Sequence, residues 1–322
     1  MKDFLHTHAA VGAACAPYAV PRLAALGVFD GVHLGHRRII RRAAELAAAC
    51  GAVPMAVSFS PHPRRLLTPE NPPELLMPEA VRLTALYRAG AAETAFIAFT
   101  PEVAALTPEA FLEALAANRR FRIAGLCVGS RWRFGRGGAG DLRNLERFCA
   151  AHDWICAGVP ELEIDGETVS SSAVRAAARC GDLDKVRRLT GEPLTLYGSV
   201  ARGFQVAGTE LAAPTANLIL AAGVPPPDGV YAGSAEADGR LYPAAVNIGF
   251  SPTYHRSTRR IEAHLIGYSG TLYGKFLAVS LRRFLRPERA FPDPEALKRR
   301  IAADVAETLQ IFKEETSQYG KP

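Results

Sequence analysis

Apolar and polar positions follow two different rhythms along this chain. As far as about Thr190, short apolar runs alternate with segments whose apolar residues recur every three or four positions. The runs Leu23–Phe29, Val53–Phe59, Glu93–Phe99, Ile123–Val128 and Trp154–Val159 read as strands. The segments His36–Cys50, Pro78–Ala89, Pro108–Asn118, Leu142–His152 and Ser172–Arg179 read as helices. Strands that alternate with helices pack as a parallel sheet with both faces covered, so this part is expected to be a doubly wound α/β domain. Beyond residue 190 the runs shorten and Pro and Gly separate them: Leu194–Ala201, Val230–Ala235, Tyr242–Ile248, Arg260–Ile266 and Phe276–Arg283. That pattern predicts a small antiparallel barrel. One helix closes the chain, Pro294–Phe312, with Leu297, Ile301, Val305 and Leu309 at four-residue spacing. The domains are therefore placed at 1–189 and 190–322.

A chain of 322 residues can bury two ordinary cores. Ala9–Val20 is small and apolar, but Pro17 and Pro21 interrupt it, and it reads as the lead-in to the first strand. No apolar run is long enough to span a bilayer, so no membrane partner is expected. The net charge of +6 comes from scattered arginines, and the pairs Arg37-Arg38 and Arg41-Arg42 fall on a helix face turned to solvent. This argues for anionic small substrates and against nucleic acid. Cys15, Cys50, Cys127, Cys149, Cys156 and Cys180 form no CxxC pair, so neither a zinc site nor a disulfide framework is expected, and the setting is a reducing cytoplasm.

The chemistry begins after the first strand, at Gly27-Val28-Phe29-Asp30-Gly31-Val32-His33-Leu34-Gly35-His36. Gly27, Gly31 and Gly35 let backbone approach a polyphosphate. The helix that follows offers free N–H groups and a positive dipole end. His33 and His36, three apart, can face one anion and donate to charge developing on a phosphoryl oxygen. Ser170-Ser171-Ser172 can cap a helix start, and Arg175 can clamp phosphate in fork geometry. The ten-residue pattern resembles the HxGH motif of the nucleotidylyl-transferase superfamily, in the form found in bacterial bifunctional riboflavin kinase/FAD synthetases. Phe59-Ser60-Pro61-His62-Pro63, Val128 to Gly135 (with Phe134) and Ser170 to Arg175 resemble further segments of that family. Two positions depart from it: Ser60 and Arg131 stand where an acidic residue is usual.

The second half carries its own constellation. Gly198 and Gly203 bracket a strand and turn, and Gly208 precedes Pro214-Thr215-Ala216-Asn217, which resembles the riboflavin kinase PTAN signature. Hydroxyl and amide oxygens two residues apart suit a hard cation. Asp228 to Tyr231, Asn247 to Tyr254, Ile261 to Leu265, Leu272 to Lys275 and Leu285 to Glu288 with Phe291 follow the family's order. The usual Gly-Phe before the Pro is Ala212-Ala213 here, the usual Arg after the glycine is Thr209, and Gly267 replaces a common Asp.

The resemblance implies a Rossmann-like nucleotidylyl-transferase domain followed by a six-stranded antiparallel riboflavin kinase barrel with a C-terminal helix. It implies ATP and Mg²⁺ as cofactors and riboflavin, FMN and FAD as substrates and products, with a weak homo-oligomer left open. Residue by residue, it implies catalysis by Glu262, as base for the kinase, and by His33, His36 and Arg175 in adenylyl transfer. ATP and phosphate binding fall to Gly27, Phe29, Asp30, Gly31, Gly35, Ser170, Ser171, Ser172, Gly198, Gly203, Gly208 and Thr215. Flavin binding falls to Phe59, Phe134 and Asn247, and metal binding to Thr215 and Asn217. The departures at Ser60 and Arg131 keep open a kinase with an impaired first domain. Another HxGH transferase or a non-catalytic flavin or RNA module leaves part of the pattern unexplained.

Overall fold

The computed structural model describes residues 5–9, 15–201, 215–250 and 259–319. They form two compact units, one of residues up to 73 with 79–171 and one of 74–78 with 172 onward.

The first unit is built from β1 (Leu5–Ala9), β2 (Pro21–Leu26), α1 (Leu34–Cys50), β3 (Val53–Ser60), α2 (Pro63–Leu67), α3 (Glu79–Arg88), β4 (Glu93–Ala98), α4 (Pro101–Ala104), α5 (Pro108–Ala116), β5 (Arg122–Gly129), α6 (Leu142–Ala151), β6 (Ile155–Val159) and a small hairpin, β7 (Glu163–Ile164) with β8 (Glu167–Thr168). Its sheet runs β1-β4-β3-β2-β5-β6. β2 to β6 are parallel, as the alternating rhythm predicts, and β1 adds an antiparallel edge against β4. That edge falls outside the expected strands, because a five-residue segment mixing two His and a Thr with Leu and Ala shows no apolar run. The central strands are buried on both faces, Leu23 to Leu26 completely, which is why they read as continuous apolar runs. Thr107 and Asp141 cap α5 and α6 through N–H groups of Ala110 and Asn144, so polar residues set where these helices begin.

At the amino ends of the parallel strands Arg22 of β2 is 1% exposed and meets Glu93 on β4 at 3.0 Å. Its guanidinium also donates to the carbonyls of Pro17 and Val20 at 2.7 Å, so this buried charge is fully partnered.

The second unit takes most of α7 (Ser171–Cys180), then α8 (Leu183–Thr190), β9 (Leu194–Ala201), β10 (Thr215–Ala222), β11 (Gly229–Ala237), β12 (Arg240–Phe250), β13 (Arg259–Leu265), β14 (Phe276–Arg286) and α9 (Pro294–Tyr319). The six strands close into an antiparallel barrel in the order β10-β13-β12-β11-β14-β9. Ala216, Leu218, Val246, Ile248, Ile261 and Ala263 alternate inward and are at most 7% exposed. The sequence reading missed β10, since Pro, Thr and Asn at its start signal a turn. Arg286, at the end of β14, holds Asp304 of α9 through contacts of 2.9 to 3.2 Å, and Asp304 is 3% exposed. This pair anchors the connection that carries Glu288.

Candidate functional site

In the first unit the strand order reverses between β2 and β5. Loops leaving the carboxyl ends of these two strands diverge, which is where parallel sheets bind ligands. The turn 27–33 leaves β2 at that point. Its backbone is strained: Phe29 has φ 53°, Gly31 φ 85° and Val32 φ 36°, and only the glycine adopts such values freely. The surrounding groups hold it in place. The Gly27 N–H donates to Val57 at 3.1 Å. The Phe29 ring is wholly buried and folds back over Gly27, where a Cβ would sit 2.9 Å from it. Ser58 Oγ donates to the Val28 carbonyl at 2.8 Å, and Ser171 Oγ to the Asp30 carbonyl at 2.8 Å.

His33 is the N-cap of α1, and its Nδ1 accepts from the His36 N–H at 3.3 Å. A neutral His33 therefore carries its proton on Nε2. The two imidazoles stack with centroids 3.6 Å apart, and the Phe29 ring meets His36 edge-on at 5.2 Å. Burial above all, then the neighbouring His33 and Arg82, hold the His36 imidazole well below the ordinary histidine value, so it is uncharged at neutral pH. Its Nδ1 is buried with no hydrogen-bond partner among the described residues. An unpaired ring nitrogen beside free helix N–H groups suits the oxygens of an incoming polyphosphate. Gly35 packs against the His33 ring.

Ser170 is half-buried and Ser172 exposed. Arg175 is 7% exposed, and its Nε donates to the Glu74 carbonyl at 2.7 Å. Phe59 and Phe134 are core residues, 6% and 5% exposed, packed with Phe111 at 6.4 and 5.9 Å. Trp132 stacks on Phe134 at 4.7 Å and is half-buried, so it offers the accessible aromatic face that those two rings lack.

The two departures from the family pattern each have a carboxylate partner. Ser60 Oγ bonds to Glu79 of α3. Arg131 pairs with Glu161, which lies just beyond β6. An acidic oxygen therefore sits beside Ser60, and the added cation at Arg131 is neutralised. Glu79 and Glu161 escape a motif search because they lie outside the motifs.

In the barrel, register assembles the second site. Asn217 on β10 and Asn247 on β12 are both the cross-strand partners of Glu262 on β13, one on each side. Directly paired residues share a face, so the three half-buried side chains form one row. Thr215 lies two positions along β10 from Asn217, on the same face. Asn247 Nδ2 donates to Glu288 Oε1 at 3.2 Å, and the Glu288 carboxylate lies so close over Gly249 that a Cβ there would fall 2.1 Å from it. Burial raises the Glu262 pKa above the usual glutamate value, Arg260 opposes this, and Glu288 adds to it. Gly198 pairs with Leu220, three residues along β10 from Asn217, and its missing Cβ lets the Ile219 carbonyl approach. Gly203 and Gly208 lie outside the described residues. Glu288 appeared in the sequence only as part of a matching segment; its place beside Glu262 comes from the β14–α9 connection.

Among the described residues no helix is long and apolar enough to cross a membrane, and no group of three or more His, Cys, Asp or Glu is placed to hold a metal.

Comparison with known proteins covers both units. The family model described as FAD synthetase matches residues 17–173, and the one described as riboflavin kinase matches 190–312. The chain is 34% identical over 285 residues to the bifunctional riboflavin kinase/FMN adenylyltransferase of Pseudomonas fluorescens, covering 88% of this chain and 91% of that one. The protein of the same name from Escherichia coli K12 is 31% identical, with 89% and 91% covered. A crystal structure described as a macrolide-efflux protein from Streptococcus pneumoniae is similar with a TM-score of 0.76 at 24% identity, covering 94% of this chain and 95% of that one; this likeness concerns the fold alone.

Proposed function

The chain belongs to the family of bifunctional riboflavin kinase/FMN adenylyltransferases, and we propose that its two chemistries are divided as its two sets of polar residues are divided. It phosphorylates riboflavin to FMN with one ATP and adenylylates FMN to FAD with a second, releasing pyrophosphate. The observation that carries the residue assignment is the row in which Glu262 is flanked in register by Asn217 and Asn247.

For the kinase (residues 190–322), Glu262 accepts the proton of the riboflavin ribityl 5′-hydroxyl as that oxygen attacks the ATP γ-phosphorus. Partial burial and Glu288 raise its proton affinity, which suits a general base. Asn247 orients the flavin side of the row. Thr215 and Asn217 offer a hydroxyl and an amide oxygen, a pair that fits Mg²⁺, which commonly takes one or two protein oxygens and completes its shell with water and phosphate. When bound, the ion supplies charge neutralisation on the ATP phosphates.

For adenylyl transfer (residues 1–189), the FMN phosphate oxygen attacks the α-phosphorus of ATP. The chain supplies positioning and electrostatics rather than a nucleophile. The 27–33 turn and the first turn of α1 hold the polyphosphate. His33 and His36 donate to its oxygens, with His36 taking its proton only when that negative charge arrives. Arg175 and Ser170 to Ser172 hold the pyrophosphate end. Phe134 supports Trp132 against the flavin, with Phe59 beneath in the core. The six free cysteines suit a reducing cytoplasm.

The test is a time course with purified protein, ATP and Mg²⁺, flavins being separated by chromatography. Riboflavin yields FMN first and FAD afterwards, and FMN supplied directly yields FAD. FMN that accumulates without FAD removes the adenylyl assignment, and no product removes both. Omitting Mg²⁺ abolishes both steps.

A further inference from the structure

Arg82 enters the account above only through its charge on His36, yet it is a buried cation beside the phosphate turn. It sits on α3 at 5% exposure, four residues before the buried Leu86, on the face turned to the core. Its Nη1 donates to the Val28 carbonyl at 3.1 Å and its Nη2 to the Phe59 carbonyl at 2.8 Å. One guanidinium thus spans the carboxyl ends of β2 and β3 and grips the peptide that leads into Phe29, the first strained residue of the turn. The fixed fork of an arginine suits two carbonyls on separate strands, which a lysine cannot reach together. The guanidinium lies over the Phe96 ring at 5.0 Å, which restricts its movement.

The contrast with Arg22 shows what is unusual. Arg22, at the amino ends of the same strands, is matched by the buried Glu93 at 3.0 Å. For Arg82 the half-exposed Glu79 lies 3.7 Å away, the buried Asp30 adds a second favourable charge, and the Arg82 Nε has no hydrogen-bond partner among the described residues. A fold that needed only stability there is served as well by an apolar side chain, because burying a guanidinium is costly even beside carboxylates, and here one of its nitrogens goes unsatisfied among the described residues. What the arginine adds is a fixed position for the Val28–Phe29 peptide and positive charge beneath an anion site.

We propose that Arg82 is a positioning residue for adenylyl transfer, holding the phosphate turn in its strained, ligand-ready form. It acts through the turn and needs no contact with substrate. The proposal rests on the assignment of adenylyl transfer to this unit. Displacement of a reacting group by about 1 Å costs on the order of a hundredfold in rate.

The experiment compares Arg82→Met and Arg82→Lys with the wild type. FAD formation from FMN, ATP and Mg²⁺ is measured with KM and kcat separated, and riboflavin phosphorylation by the same preparation serves as internal control. Folding is followed by the fluorescence of Trp132 and Trp154, the chain's two tryptophans, both in the first unit. The expected result for Arg82→Met is a kcat for FAD formation lower by about tenfold to a hundredfold in folded protein, with unchanged kinase activity and a KM for FMN within about twofold. Lysine restores the charge and one contact, and recovers part of the loss. FAD formation by Arg82→Met within twofold of wild type overturns the proposal, as does a loss matched by the unfolded fraction. No FAD from the wild type overturns the assignment of the domain and this proposal with it; FAD from the wild type with an unaffected variant overturns this proposal alone.

Discussion

Ser171 Oγ donates to the carbonyl oxygen of Asp30 at 2.8 Å, across 141 residues of sequence. The bond ties the serine-rich start of α7 to the phosphate turn, so two motifs at opposite ends of the first domain act on one piece of backbone. Ser171→Ala removes the donor and should cost about 1 kcal/mol, read as a lower urea midpoint of tryptophan fluorescence. FAD formation should slow while riboflavin phosphorylation is unchanged. An unchanged midpoint and an unchanged FAD rate would mean the bond has no such role.

Glu288 should set the acid limit of the kinase. Its carboxylate raises the proton affinity of Glu262, so removing that charge lowers it. Glu288→Gln keeps an oxygen for Asn247 and loses the charge. The base form of Glu262 then persists to lower pH, and the acid limb of the kinase pH–rate profile moves down. A limb that stays in place or moves up would separate Glu288 from the base.

The first domain should lose stability in acid through His36. Folded, His36 resists protonation until well below 6.5; unfolded, it takes up a proton near 6.5. The unfolded chain binds more protons in that interval, so stability falls as pH drops through 6.5. The urea midpoint from Trp132 and Trp154 should fall between pH 7.5 and pH 5.5, and His36→Asn should flatten the fall. An equal fall in the variant would assign it to other groups.

The local motifs were legible because their physics is local. Glycines at fixed offsets, two histidines three apart before a helix and a hydroxyl-rich helix start all declare themselves within ten residues. The pairing of Glu262 with Asn217 and Asn247 was not legible, since cross-strand register depends on how the barrel closes. β10 was obscured because its first residues are turn formers. Phe59 and Phe134 lie in conspicuous motifs, but no motif announces that both rings are buried. Arg82 left one faint trace: an arginine at the position of a core residue, in step with Leu86 on an otherwise apolar face. As partners of Ser60 and Arg131, Glu79 and Glu161 left none, because each pair is distant in sequence.

The central claim is that two separate residue sets perform two separate transfers, and separation of function tests it most directly. Glu262→Gln and His36→Asn are each given riboflavin, and separately FMN, with ATP and Mg²⁺. Glu262→Gln should convert FMN to FAD at the wild-type rate and lose about a hundredfold or more in making FMN from riboflavin. His36→Asn should make FMN normally and little FAD, and the two variants mixed should carry riboflavin through to FAD. A Glu262→Gln enzyme that phosphorylates riboflavin at the wild-type rate, or a His36→Asn enzyme that makes FAD as fast as the wild type, would contradict the account.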